Sequence, residues 1–414
     1  MKHLRLSALP TPLLGLSSLA LCCNASAAFI ADSTANLDIR SFYMNRDYRQ
    51  PGSPETQDEW TQGFVMHAES GFTDTTVGVG LDAHAALGLK LDSARGRSGD
   101  NGILPQSADG TPANEFSELG FTGKLKVSKS VLRLGTLYPT LPVLNYNFGR
   151  LLPSSYSGGM LTSNEIDGLT VNAGRITQAN LRNSSSNDRI TYYRGGVESD
   201  HFDFAGGSYK LTPQLTTSYY YGELKDIYRQ HFVGLVHTLP LSKSASLRTD
   251  LRYFRSNDDG IAKMGRFANN NLNGMVSLTL GGHKFSGAYQ RISGAGEFPF
   301  IGNDPYVVNL SFYNTFAREE EDSWQARYDY DFAALGIPGL TFMTRYVSGD
   351  HALVQGREQG TERERNIDLT YTVQTGPLKN VYVQMRNISF RSGSGLTRDV
   401  DENRVLVGYK LVVW

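Results

Sequence analysis

Residues 404–414 read Arg404-Val405-Leu406-Val407-Gly408-Tyr409-Lys410-Leu411-Val412-Val413-Trp414, a strand-like run that stops on an aromatic side chain. A terminal strand leaves an open hydrogen-bonding edge unless it pairs with another strand and closes a barrel. The other end of the chain indicates which kind of barrel to expect. Lys2 and Arg5 precede an apolar run, Leu13–Leu21, and Ala25-Ser26-Ala27 supplies a small-residue cleavage site, the layout of a secretory signal peptide. Residues 1–27 are therefore expected to be removed, leaving 28–414, roughly 387 residues, as one domain. An exported chain with a closing strand and a final aromatic predicts a β-barrel in the outer membrane of a Gram-negative bacterium.

Composition narrows the choice. Both cysteines, Cys22 and Cys23, lie in the leader, so no disulfide or thiolate site is expected in the mature chain. Leu19-Ala20-Leu21-Cys22 has the outline of a lipoprotein signal, but Leu21 is bulky where a small residue is needed. With 40 basic and 41 acidic residues the charge is balanced, which argues against a nucleic-acid partner. No stretch after the leader approaches the roughly 18 apolar residues of a membrane helix. Open strands cannot sit in lipid, so the alternatives are a closed barrel or a soluble solenoid or sandwich. The 22 Tyr and 20 Phe, concentrated at strand ends, favour the barrel.

Period-two alternation recurs along the chain. Phe121, Leu125 and Val127 oppose Thr122, Lys124 and Lys126; Trp324, Ala326, Tyr328 and Tyr330 oppose Gln325, Arg327, Asp329 and Asp331; Val381, Val383 and Met385 oppose Tyr382, Gln384 and Arg386. A charged face against an apolar face tipped with aromatics suits a wet lumen and a lipid exterior. Eighteen segments carry the pattern, near 36–45, 60–71, 74–86, 118–128, 130–138, 165–175, 188–194, 200–210, 213–224, 226–238, 244–256, 270–281, 282–292, 322–332, 338–349, 362–374, 378–391 and 403–414. Short connections such as Ser128–Ser130, Gly281-Gly282 and Gly336–Gly339 alternate with long ones, as in an up-and-down membrane barrel. Two long connections, 139–164 and 293–321, hold more apolar residues than an outer shield requires. The first is expected to fold into the barrel as a constriction.

Several segments resemble the OprD-type porins of pseudomonads, the outer-membrane carboxylate channels. They include Phe29–Ser33, the run Arg40–Arg49, Asp58-Glu59-Trp60 with Gln62-Gly63-Phe64, and Leu91-Asp92-Ser93 with Gly96-Arg97. The most specific are Gly135-Thr136-Leu137, Leu141–Leu144, Gly149–Pro153 and Thr162–Ile166; Tyr328–Thr344 and Gly376–Lys379 also match. The resemblance implies an all-β, eighteen-stranded antiparallel transmembrane barrel that works as a monomer. Its third and seventh extracellular loops would fold inward, and a ladder of basic side chains would line one wall. It also implies small carboxylate solutes as cargo, outer-membrane lipid and lipopolysaccharide as surroundings, and assembly by the barrel-insertion machinery, which reads a terminal aromatic such as Trp414.

An anion loses hydration in a narrow pore, and fixed cations offset that loss; Arg suits the task because its fork binds carboxylates and keeps its charge. Strand phase points Arg40, Lys124, Lys126, Arg133, Arg248, Arg252, Arg327, Arg345, Arg386 and Lys410 inward. Arg150, Ser154, Ser155 and Tyr156 of the first long loop are expected to meet Asn303, Asp304 and Tyr306 of the second at the constriction. Asp368 and Gln384 stand where the family commonly carries lumen arginines, which would shorten the ladder. The histidines, His67, His84, His201, His231, His237, His283 and His351, show no metal-ligand spacing, and no nucleophile elbow is present. No cofactor is expected. Aromatic loops poor in acids favour cyclic or aromatic monocarboxylates over basic amino acids or small peptides, and the lack of a local catalytic signature favours a channel over the serine peptidase suggested for this family.

Overall fold

The computed structural model describes residues 29–414 apart from 53, 194–195, 303, 355–357 and 394. The leader 1–27 and Asn303 lie outside the described residues. Eighteen antiparallel strands form the wall. The first six are β1 (Thr34–Tyr48), β2 (Thr56–Glu69), β3 (Gly78–Asp92), β4 (Glu115–Val127), β5 (Ser130–Leu137) and β6 (Ser155–Ser163). The next six are β7 (Leu169–Asn180), β8 (Phe202–Lys210), β9 (Leu215–Leu224), β10 (Tyr228–Ser242), β11 (Ala245–Asp258) and β12 (Ala268–Leu280). The last six are β13 (His283–Ala295), β14 (Asp322–Asp331), β15 (Leu340–Val354), β16 (Glu358–Thr372), β17 (Val381–Ser392) and β18 (Val400–Val412).

β18 pairs with β1 from Tyr48↔Val400 to Asn36↔Val412, so the sheet closes and no edge is left to satisfy. Burial is inverted relative to a water-soluble protein. Leu119, Phe121, Leu125 and Val127 of β4 are exposed on the outside, whereas Thr122 and Lys124 of the same strand are buried inside. Glu59, Glu362, Glu364, Asn366 and Glu402 are likewise buried in the lumen. Only a lipid exterior makes that arrangement favourable, because it removes the apolar band from water. This chain is therefore a multi-pass barrel of the outer membrane.

Between β5 and β8 the strands differ from the sequence expectation. Residues 155–163 form β6, paired with β5 from Leu137↔Tyr156 to Ser130↔Ser163, so the third outer loop is 138–154 rather than 139–164. The segment 188–194 is expected as a strand of the wall, but its described residues, 188–193, lie in the fourth outer loop. There Asp188–Thr191 forms a small hairpin with Glu198–Ser199. The expected strand 165–175 straddles the turn between β6 and β7. One strand missed and one misassigned cancel, which is why the total of eighteen stands.

The third and seventh outer loops fold into the barrel and supply much of its packed interior. Leu141, Val143 and Leu144 join Phe298, Phe300 and Ile301 in one buried cluster against β7 to β13. Leu151 and Leu152 join Ile103 and Leu104 of the second outer loop in another, against Phe42, Met44 and Val65. Each such buried side chain contributes roughly 1.5–3 kcal/mol, which holds the loops in the lumen without a covalent tie. Gly63 makes room for this packing: a Cβ there would come 2.9 Å from the Leu151 side chain and 3.2 Å from its carbonyl oxygen.

Candidate permeation site

The third loop is shaped by its own polar residues. Thr140–Leu141 pairs with Leu144–Asn145 in a tight hairpin. The Asn147 side chain accepts from the Gly149 amide at 2.8 Å, and the Ser154 hydroxyl accepts from the Asn147 amide at 2.8 Å. Ser155 donates to Glu118, and Tyr156 donates to the Asn145 carbonyl at 3.1 Å. The three hydroxyls expected to face the solute, those of Ser154, Ser155 and Tyr156, are thus buried and engaged within the loop and its wall. Arg150 is left at the tip, donating to the carbonyls of Asn101 and Gly149, both at 3.2 Å.

The seventh loop is latched to β16 by carboxylates and to β15 and β18 by arginines. Glu364 accepts the Tyr313 and Asn314 amides at 3.0 and 2.8 Å. Glu362 accepts from the Asn314 side chain at 2.6 Å and from Arg318 at 2.8 Å. Arg345 donates to the Leu310 carbonyl at 2.8 Å, and Arg404 to the Phe312 carbonyl at 2.9 Å. The Phe312 ring lies under Arg345 and Arg386, at 4.8 and 4.1 Å. Asn147 of the third loop donates to Asp304 of the seventh and accepts from Arg182 of the fourth at 3.3 Å, so three loops meet at one point. Tyr306 stands away from this point, stacked at 3.8 Å on Arg252.

Three cavities follow one another along this wall. An outer one of about 430 Å³ is bordered by Arg46, Arg150, Arg182, Tyr193, Tyr313 and Arg318, among others. A middle one of about 290 Å³ shares Arg150, Arg182, Tyr193, Tyr313 and Asn314 with the outer cavity and adds Arg345, Arg386, Arg404, Asp304 and Phe312. An inner one of about 630 Å³ shares Phe312 and Arg386 and adds Arg327, Asp329, Asp368 and Gln384. Among the described residues, the middle cavity thus has five arginines and one carboxylate in its lining. Burial and the neighbouring Arg404 and Arg182 push the Arg150 guanidinium well below its usual range, and burial also lowers Arg182. Burial raises Asp304, against the pull of Arg182 and Arg150. Cations that are desolvated and repel one another gain from the arrival of an anion.

The expected basic residues separate into paired and unpaired groups. Arg40 pairs with Asp38 at 2.9 Å, Arg252 with Asp250 at 2.9 Å, Arg327 with Asp329 at 2.6 Å and Arg386 with Asp368 at 2.5 Å. Arg248 is a looser partner of Asp250, at 3.8 Å. Lys124 of β4 pairs with Asp82 at 2.5 Å, outside the three cavities; Lys126 lies beside it over Phe72. Arg133 borders a separate side pocket, and Lys410 lies below Arg404 on β18. Arg40 also holds the third loop, stacking at 3.4 Å on Phe148 and donating to the Phe148 and Arg150 carbonyls. Arg345 and Arg150 have no carboxylate within 4 Å among the described residues.

Four arginines of the site were not anticipated. Arg46 and Arg404, both bound to Glu402, continue the inward phase of Arg40 and Lys410, so alternation alone would have found them. Arg182 and Arg318 are loop residues with no periodic signal.

A closed, lipid-facing barrel whose lumen is narrowed by its own loops and lined by cations is an outer-membrane porin. The family model described as outer membrane porin, OprD family, matches residues 27–413, and the chain belongs to that family. The porin-like protein GalP of Pseudomonas putida is 38% identical over 92% of this chain and 93% of its own length. The crystal structure of Pseudomonas aeruginosa OccK9 (OpdG) is 42% identical, with a TM-score of 0.91 over 93% of this chain and all of that one. Pseudomonas aeruginosa OpdK, solved with vanillate, is 36% identical with a TM-score of 0.88, again over 93% of this chain and all of that one.

Proposed function

We propose that the pore selects small carboxylates, with cyclic or aromatic monocarboxylates preferred over basic amino acids or peptides. The observation that carries this reading is the middle cavity, where Arg150, Arg182, Arg345, Arg386 and Arg404 surround a space with Asp304 as the one acid among the described lining residues. Phe312, Tyr313 and Tyr193 add flat apolar surface beside the cations, so a ring can stack while its carboxylate meets a guanidinium. OpdK was solved with vanillate, an aromatic carboxylate, which supports the same cargo class here. The wall is a relay: a solute entering past Arg46 and Arg318 passes to Arg150 and Arg182, then to Arg345, Arg404 and Arg386, and leaves past Arg327. Because Arg386 is already bound to Asp368, its pull is weakened and release toward the inner cavity is eased. The chain acts as a monomeric channel rather than a peptidase, reaching the outer membrane after loss of residues 1–27. Single-channel recordings with benzoate and with arginine as competing solutes test the reading. Benzoate is expected to interrupt the ionic current at lower concentration, and the reverse order would overturn the preference.

A further inference from the structure

We propose that His67 and His84 form a binding site for a divalent transition-metal ion, with Zn²⁺ as the reference case, at the root of the third loop. The two residues are direct cross-strand partners on β2 and β3, and both face the lumen. Their Nδ1 atoms are 3.3 Å apart. Two imidazole nitrogens bound to one tetrahedral Zn²⁺ at about 2.0–2.1 Å stand roughly 3.4 Å apart. Without an ion, the same two atoms can share at most one long hydrogen bond.

A second observation comes from the far side of the ring. His84 is 4% exposed, its Nε2 has no hydrogen-bond partner among the described residues, and the Glu118 carboxylate lies 3.6 Å away. Metal-bound histidines usually direct their second N–H at a carboxylate, which fixes the tautomer. On that pattern an ion bound at Nδ1 would leave the His84 proton on Nε2, on the side of Glu118. The Tyr138 ring closes the pair off, with centroids 5.3 and 5.0 Å from the two imidazoles. A pocket of about 250 Å³ opens beside it and gives room for waters to complete four-coordination. The same Glu118 holds Ser155, where the third loop rejoins the wall, so occupancy of the site bears on the seat of the constriction.

The test uses the untagged, folded barrel in detergent, with Co²⁺ as spectroscopic probe and Zn²⁺ as competitor. One equivalent of Co²⁺ is expected to give the visible bands of a tetrahedral site, and Zn²⁺ to displace them. His67→Ala is expected to abolish the bands, and Glu118→Gln to weaken affinity roughly 10–100-fold. His351→Ala, which breaks the Asp322–Asp350–His351 group at the outer rim, is expected to leave them unchanged. Should His67→Ala fail to fold by its heat-modifiable gel shift, His67→Gln serves in its place. Absence of the bands in the parent barrel, their survival in a folded His67 variant, or their loss in His351→Ala would overturn the assignment.

Discussion

Replacing Arg150 by Gln should lower the preference for anions while leaving the pore nearly as wide. Arg150 is the clean place to remove a charge. It borders both the outer and the middle cavity and has no carboxylate partner among the described residues, so its loss orphans none of their acids. An anion in contact with a guanidinium at about 4 Å gains about 1 kcal/mol in water and about 4 kcal/mol where the effective dielectric constant is near 20. The middle cavity lies between these limits, and four other arginines remain. A loss of about 1–2 kcal/mol is therefore expected, a fall of roughly 5- to 30-fold in anion-to-cation permeability. The assay is the reversal potential across a planar bilayer in a salt gradient near 0.1 M, where the Debye length is about 10 Å; near 1 M, where it is about 3 Å, the effect should shrink. Arg252→Gln is the control, because Arg252 is paired with Asp250 and covered by Tyr306. An unchanged reversal potential in Arg150→Gln, or an equal change in Arg252→Gln, would refute the assignment of the selective field to the middle cavity.

Glu364→Gln should loosen the seventh loop, since the carboxylate accepts the Tyr313 and Asn314 amides and the Asn366 side chain at 2.7 Å, and the amide can turn a donor toward them. Each amide left unpaired costs about 1–3 kcal/mol, which should appear as open-channel current noise and faster proteolysis within 296–321. Burial raises Asp304 above its ordinary 3.8, so as pH falls toward that range it gains its proton before an ordinary aspartate would. The sign follows: the middle cavity becomes more positive, anion preference rises on acidification, and this residue's ionisation ceases to oppose stability. Asp304→Asn should remove that component from the pH dependence of the reversal potential. Deleting Trp414 should reduce the amount of heat-modifiable, folded barrel in the outer membrane, because the amides of Val413 and Trp414 extend closure by bonding the Ala35 carbonyl. Normal levels of the folded form would count against that role.

Period-two alternation determined the all-β barrel, its inside and outside, and the placing of the third and seventh outer loops, because a strand's side chains must alternate whatever it pairs with. The reading failed where alternation and location part company. Ser155–Ser163 is rich in serine and glycine and shows no apolar face, yet its pairing with β5 and β7 makes it a strand of the wall. The expected strand 188–194 alternates well, but Asp188–Thr191 within it belongs to a loop hairpin. Phase likewise identified which basic residues point inward, but not which of them an acid already holds. That depends on register, which sets Asp368 against Arg386 but Asn366 against Arg345, so that among the described residues Arg345 has no carboxylate. Where the loops land was also beyond the sequence, because Arg182, Asn147 and Asp304 meet through contacts between segments far apart in the chain. The His67–His84 pair is the plainest case. Seventeen residues apart they match no ligand motif, and only the pairing of β2 with β3 sets their nitrogens 3.3 Å from each other.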